Sequence, residues 1–201
     1  AAWLWQKASF LCALGGFDSA QNNLDSALTS YREALALNRT LFEKDRTNAS
    51  AQASTAYCCC KTAIILGNRG DLSAALDAFG EALAIQEQLL ARDPTSFRWC
   101  TAIAETLAKI GEGRSAQGNH TAALQAFTRG LDIARDLAAS DRSNLARQES
   151  LAAALAKVGC TLAAQGDLPG ARQRHDEALA IRRQLVARDP TNSVWLAAQA
   201  E

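Results

Sequence analysis

A period of 48 residues constrains this chain more than any other feature. The stretch Gly70 to Pro94, GDLSAALDAFGEALAIQEQLLARDP, returns as Gly118 to Arg142, GNHTAALQAFTRGLDIARDLAASDR, and again as Gly166 to Pro190, GDLPGARQRHDEALAIRRQLVARDP. One step back from Asp93 lies Asp45, and Asn22 stands in the glycine's place. Asp45, Asp93, Asp141 and Asp189 therefore mark four equivalent corners. The periods run 1–48, 49–96, 97–144 and 145–192, and a partial fifth at 193–201 puts Trp195 and Leu196 in register with Trp3 and Leu4. The expectation is a single repeat array over 1–201, a segment of a longer protein or a processed product, with no sequence left for a second domain. A unit of two short elements cannot bury its apolar face alone, so each repeat must stack on its neighbours.

Inside a period the apolar residues recur at helical spacing. Trp99, Ile103, Leu107 and Ile110 step by four, four and three, which predicts a helix from about Phe97 to Ala116. Leu72, Leu76, Phe79, Leu83 and Leu90 predict a second from about Leu72 to Arg92. Nothing alternates with period two, so the expected class is all-α. Gly70, Gly118 and Gly166 sit where the first helix must end, in the left-handed cap that a Cβ resists. Asp71, Asn119 and Asp167 follow as N-caps of second helices, and Asn48, Ser96, Asn144 and Asn192 as N-caps of first helices. Pro94 and Pro190 cannot continue a helix. Connections of about three to five residues make neighbouring helices antiparallel.

Small residues recur opposite large ones. Gly15, Ala63, Gly111 and Gly159 form one small set, and Tyr31, Phe79, Phe127 and His175 one large set. A glycine in mid-helix costs about 1 kcal/mol against alanine, so its recurrence implies a backbone crowded by the partner helix. With Ile110-Gly111 in a first helix, and Ala123 and Phe127, or Ala75, Phe79 and Ala82, in second helices, the chain resembles the tetratricopeptide repeat family. The resemblance spans all 201 residues. The period exceeds the usual one of about 34 residues, and GEALAIQEQLLARDP is similar to the long-helix repeats of kinesin light chains and bacterial multi-domain arrays. It implies a right-handed α-solenoid of antiparallel helix pairs whose first helices line an inner groove.

That groove, carried over repeat by repeat, places Ser9, Cys12, Gly16 and Ser19, then Tyr57, Cys60, Ile64 and Asn68, then Glu105, Glu112 and Ser115, then Ala153, Cys160 and Ala164 on the inner face. Family members that clamp a terminal carboxylate use Lys, Asn and Arg together there, and that clamp is not present. The resemblance thus implies a non-catalytic scaffold whose small, mildly apolar groove takes a protein segment, with an apolar helix a better occupant than an acidic peptide. A second reading rests on the ends: Trp3, Trp5 and Trp195 are apolar and repeat-like, and a head-to-tail contact that does not close builds a filament.

Composition excludes more than it suggests. Lys plus Arg equal Asp plus Glu at 21 each, so no net field favours nucleic acid or an anionic membrane. The arginines of the last repeat, such as Arg172, Arg182 and Arg188, read as a solvated face. No apolar run reaches the roughly 18–20 residues that span a bilayer. The six cysteines and the lack of a secretory leader suggest a reducing, cytoplasmic setting, or an extracellular one only within a filament. Cys12 and Cys60 are equivalent positions, but no C-x-x-C pair exists, and helix axes about 8–10 Å apart disfavour a bridge between them, so the cysteines read as small buried residues. His120 and His175 read as packing variants. No nucleophile–base pair, carboxylate pair or phosphate loop emerges, so neither enzymatic activity nor a metal or cofactor is expected.

Overall fold

The computed structural model describes residues 2–190 and Asn192. Among them the chain is all-α, with eight helices and no strand: α1 (Ala2–Ala20), α2 (Leu24–Lys44), α3 (Ala49–Asn68), α4 (Leu72–Arg92), α5 (Phe97–Ala116), α6 (His120–Ser140), α7 (Leu145–Ala164) and α8 (Leu168–Arg188). The helix bounds expected from the apolar spacing at 97–116 and 72–92 coincide with α5 and α4.

Local chemistry explains where each helix stops. Gly70, Gly118 and Gly166 take φ of +87°, +76° and +88°, and Asn22 takes φ 60° at the same point of the first repeat. Asparagine tolerates this region better than most residues with a Cβ. The carboxylate of Asp71 accepts from the Ala74 amide at 3.1 Å, and the side-chain oxygens of Asn119 and Asp167 accept from Ala122 and Gly170 at 3.0 Å each. Asn48 and Asn144 cap α3 and α7 in the same way, through the amides of Ala51 and Arg147. Each bond satisfies an amide that the helix itself leaves open.

The chain forms two compact units, Ala1–Trp99 and Cys100–Glu201, divided in the first turn of α5. In the first unit α1 packs on α2, α3 packs on α4, and α2 lies against α3. Its core includes Leu11, Ala27, Leu28, Tyr31, Ala34, Cys58 and Ile65. In the second unit α7 packs on α8 and α6 lies against α7, around Ala123, Phe127, Leu131, Ala152, Leu155, Val158 and Ala178.

The small-against-large register is steric. A Cβ built on Gly15 would stand 3.0 Å from the Tyr31 ring, one on Gly111 2.5 Å from Phe127, and one on Gly159 2.7 Å from His175. These glycines let the first helix of each pair settle on the ring of the second. An ion pair also recurs between successive second helices. Arg39 of α2 meets Glu81 of α4 at 2.6 Å, and at the equivalent positions Arg135 of α6 meets Glu177 of α8 at 3.4 Å.

Candidate functional site

A concavity lies in the second unit, a cleft of about 460 Å³ among α5, α6 and α7. Its floor is small and apolar: Ala104 and Ala108 from α5, Gly130 and Ala134 from α6, Ala153 and Ala154 from α7, with the Phe127 ring beneath. Polar groups stand around it. Glu105 is exposed. Lys157 is ion-paired with Glu112, which also accepts from Lys109 Nζ at 2.8 Å, and its ammonium sits 5.9 Å from the Phe127 ring centroid. Burial raises the Glu112 carboxyl, but hydrogen bonds from Lys109 and Lys157 outweigh it and hold the group below 4.5. Arg147 folds over the end of α6, its Nη1 donating to Ser140 Oγ at 3.0 Å.

Repeat register explains why the cleft is there. Two periods back, the counterparts of Ala108, Ala134, Ala153 and Ala154 are Cys12, Asn38, Tyr57 and Cys58. In the first unit those larger side chains fill the space. Asn38, fully buried, donates from Nδ2 to Ser54 Oγ at 2.8 Å, and Cys12 Sγ meets Cys58 Sγ at 3.0 Å. Tyr57 stands edge-on to Tyr31 with ring centroids 6.3 Å apart, under the Lys61 ammonium at 5.3 Å. Alanine at the four equivalent positions empties the same volume.

A tetratricopeptide repeat family model matches residues 8–46, 55–95 and 151–191, more than half of the chain. The chain belongs to the tetratricopeptide repeat family. The third repeat lies outside the matched residues, yet its Gly111–Phe127 contact repeats the Gly15–Tyr31 contact of the first. No curated protein matches the chain by sequence.

Solved structures share the fold of this tetratricopeptide chain. BtubC (BKLC) from P. vanneervenii superposes with a TM-score of 0.71 at 17% identity, over 89% of this chain and 64% of that one. A Podosopora anserina protein described under kinesin light chain, with nearly identical TPR-like repeats, gives 0.65 at 13% identity over 88% and 75%. A Rap protein complexed with Competence and Sporulation Factor gives 0.58 at 18% identity over 89% and 44%. The chain thus spans about two thirds of the BtubC chain and under half of the Rap chain.

The residues expected on the tetratricopeptide inner face are divided between the two units. Glu105 and Ala153 line the cleft. Glu112 is turned into its lysine pairs, and Ser115 is half-buried. Ser9, Tyr57, Ile64, Asn68 and Cys160 are exposed. Cys60 is half-buried, its sulfur 3.8 Å from Gln86 Nε2. Reading all six cysteines as buried is corrected at Cys160, which stands where Ile64 does in repeat two, also exposed. Ala104, Ala108, Ala134 and Ala154, with Gly130, Arg147, Ser150 and Lys157, escaped the reading by residue type. Comparing the repeats position by position for lost volume would have found them.

Trp3 and Trp5 are exposed, at 63% and 49%, and Trp195 lies outside the described residues. Among the described residues no group of three or more His, Cys, Asp or Glu could hold a metal ion, and no helix is long and apolar enough to cross a membrane.

Proposed function

We propose that this chain is a non-catalytic protein-interaction scaffold, its four repeats acting as one array, and that the α5–α6–α7 cleft takes an apolar helical segment of a partner protein. The observation that carries this is the shape and chemistry of the cleft. Its alanine and glycine floor admits side chains of a guest helix rather than a flat surface. Its charges, Glu105 against Arg147 and Lys157, are mixed in sign and partly satisfied within the protein. Such a site rewards buried apolar area more than charge. The Rap protein seen in complex with Competence and Sporulation Factor, which shares this fold, supports a binding role. In the first unit, exposed Tyr57 and Ile64 form a proposed contact surface of its own. Ser9 and Asn68 are exposed in the first unit and Cys160 in the second, which leaves each open to a partner, and the cytoplasm is the proposed compartment.

The test uses fluorescence anisotropy with synthetic amphipathic helices that carry an Ala/Leu stripe and no net charge. Binding that is lost in Ala153→Phe and kept in the outward-facing Arg172→Ala would support the cleft. Equal affinity of Ala153→Phe and the parent would remove it.

A second reading, self-association, is favoured by α1. Trp3, Phe10 and Phe17 recur every seven residues and are all exposed, whereas their counterparts Ala51, Cys58 and Ile65 in α3 are buried. The α1 face thus carries apolar residues where α3 is covered, and a helix of a second copy would cover it. Light scattering across a concentration series tests this. Mass that grows with concentration, and falls to the monomer in Phe10→Gln with Phe17→Gln, would support it; a constant mass near 21.4 kDa would end it.

A further inference from the structure

The first unit brings two thiols together from different helices. Cys12 on α1 is half-buried on the face of the first helices, while Cys58 on α3 is fully buried, and their sulfurs lie 3.0 Å apart. Helical geometry selects this pair. Successive residues on a helix point about 100° apart, at 3.6 residues per turn, so Cys59 turns toward Ala56 and Ala82, and Cys60 toward Gln86. Of the three consecutive cysteines, Cys58 is the one that meets Cys12. A disulfide needs sulfurs about 2.05 Å apart, so roughly 1 Å of approach remains. α1 is held mainly by α2 and touches α3 only lightly, which leaves it free to supply that shift.

We propose that Cys12 and Cys58 form a reversible thiol–disulfide site for low-molecular-weight disulfides, with Cys12 the attacking thiol and Cys58 the resolving one. Access sets these roles, because an external disulfide can reach Cys12 and not Cys58. The electrostatics run the same way. The hydrogen bond with Cys58, opposed by burial and helped by Ser54, lowers the Cys12 thiol from 9.0 to about 7. The same bond, followed by burial, pushes Cys58 up. Cys12 therefore supplies the thiolate at neutral pH, and the thiolate is the nucleophile.

In the first step the Cys12 thiolate attacks one sulfur of RSSR. A Cys12–SR bond forms, the RS–SR bond breaks, and RS⁻ leaves. The Cys58 thiol then loses its proton to that thiolate, and its sulfur attacks Cys12. The Cys12–Cys58 bond forms as the Cys12–SR bond breaks, and the second RS⁻ leaves and takes a proton from solvent. Two protein thiols are oxidised and one RSSR is reduced to two RSH. The bridge ties α1 to α3 beside Tyr57, at the edge of the surface proposed to bind partners.

The experiment treats the full chain, with Cys100→Ser and Cys160→Ser to silence the outlying thiols, with oxidised glutathione at neutral pH, and follows intact mass and tandem-mass peptide maps. The expected product has lost two hydrogens, retains no glutathione and carries a Cys12–Cys58 cross-link, formed equally in Cys59→Ser. Adding Cys58→Ser should stop the reaction at one glutathione on Cys12. A glutathione adduct that persists on Cys12 with Cys58 present, a cross-link to Cys59 or Cys60 instead, or an unreacted Cys12 would each overturn the assignment. The maps of the chain with Cys58 intact decide the matter even if Cys58→Ser fails to fold.

Discussion

At the scale of single residues, the glycines divide into those a ring requires and those it does not. Gly111→Ala would drive a Cβ into Phe127 at 2.5 Å and should destabilise the second unit by about 1–3 kcal/mol, the usual cost of overpacking. Gly15→Ala meets Tyr31 at 3.0 Å, and the gain in helix propensity of about 1 kcal/mol should leave it near neutral. Gly130→Ala meets only ordinary contacts, at 3.5 Å and beyond. It should stabilise by up to about 1 kcal/mol while narrowing the cleft and weakening the proposed peptide binding. Urea denaturation of the three variants orders them. The crowded glycines were legible in the sequence because they recur with a ring at a fixed offset. Gly130 was not, because the need it meets, an empty volume, leaves no residue type behind.

At the scale of helices, ends and buried faces carry different weights. Leu131, buried in α6, should cost about 2–5 kcal/mol as alanine. Its counterpart Leu83, only half-buried, should cost less, although the repeat pattern alone makes the two equivalent. Thermal melts of Leu131→Ala and Leu83→Ala check the order. Asn22→Gly should stabilise by roughly 0.5–1 kcal/mol, because Asn22 holds φ 60° where the other three repeats use glycine. Helix bounds were readable to the residue at α4 and α5, since Gly, Asp and Pro each mark an end by its own chemistry. The Arg39–Glu81 and Arg135–Glu177 pairs join residues 42 apart, beyond the reach of any local pattern. Both are substantially exposed, so Arg39→Ala should change stability by no more than about 1 kcal/mol.

For the whole chain, the acid limb of stability follows from the corners. Asp45 is held below 3.8 by the Thr47 hydroxyl and amide, and Asp141 by the Ser143 hydroxyl. Glu112 is held below 4.5. A carboxylate with a depressed folded value contributes stability that is present above its unfolded value and lost as pH falls through the folded one. The melting temperature should therefore be flat above pH 4.5 with respect to these groups and fall below it, and Glu112→Gln should shallow that fall. A melt series from pH 7 to pH 3 reads the slope. Repetition made the helix-pair fold legible in advance, because each repeat restates the same packing rules. The cleft arises where the third and fourth repeats carry alanine in place of larger residues of the first two, and no rule of the common pattern announces that loss.

The glycine–ring contacts also decide how such a chain can be rebuilt. Gly15 with Tyr31, Gly111 with Phe127 and Gly159 with His175 belong to one helix pair each, so the transplantable module runs from one Asp corner to the next. A graft joined at the glycine turn would marry one repeat's first helix to another's second. An Ala63 helix laid against a Phe127 helix in that way would inherit a Cβ where the ring has left no room, whereas corner-to-corner exchange keeps every ring with the backbone shaped to receive it.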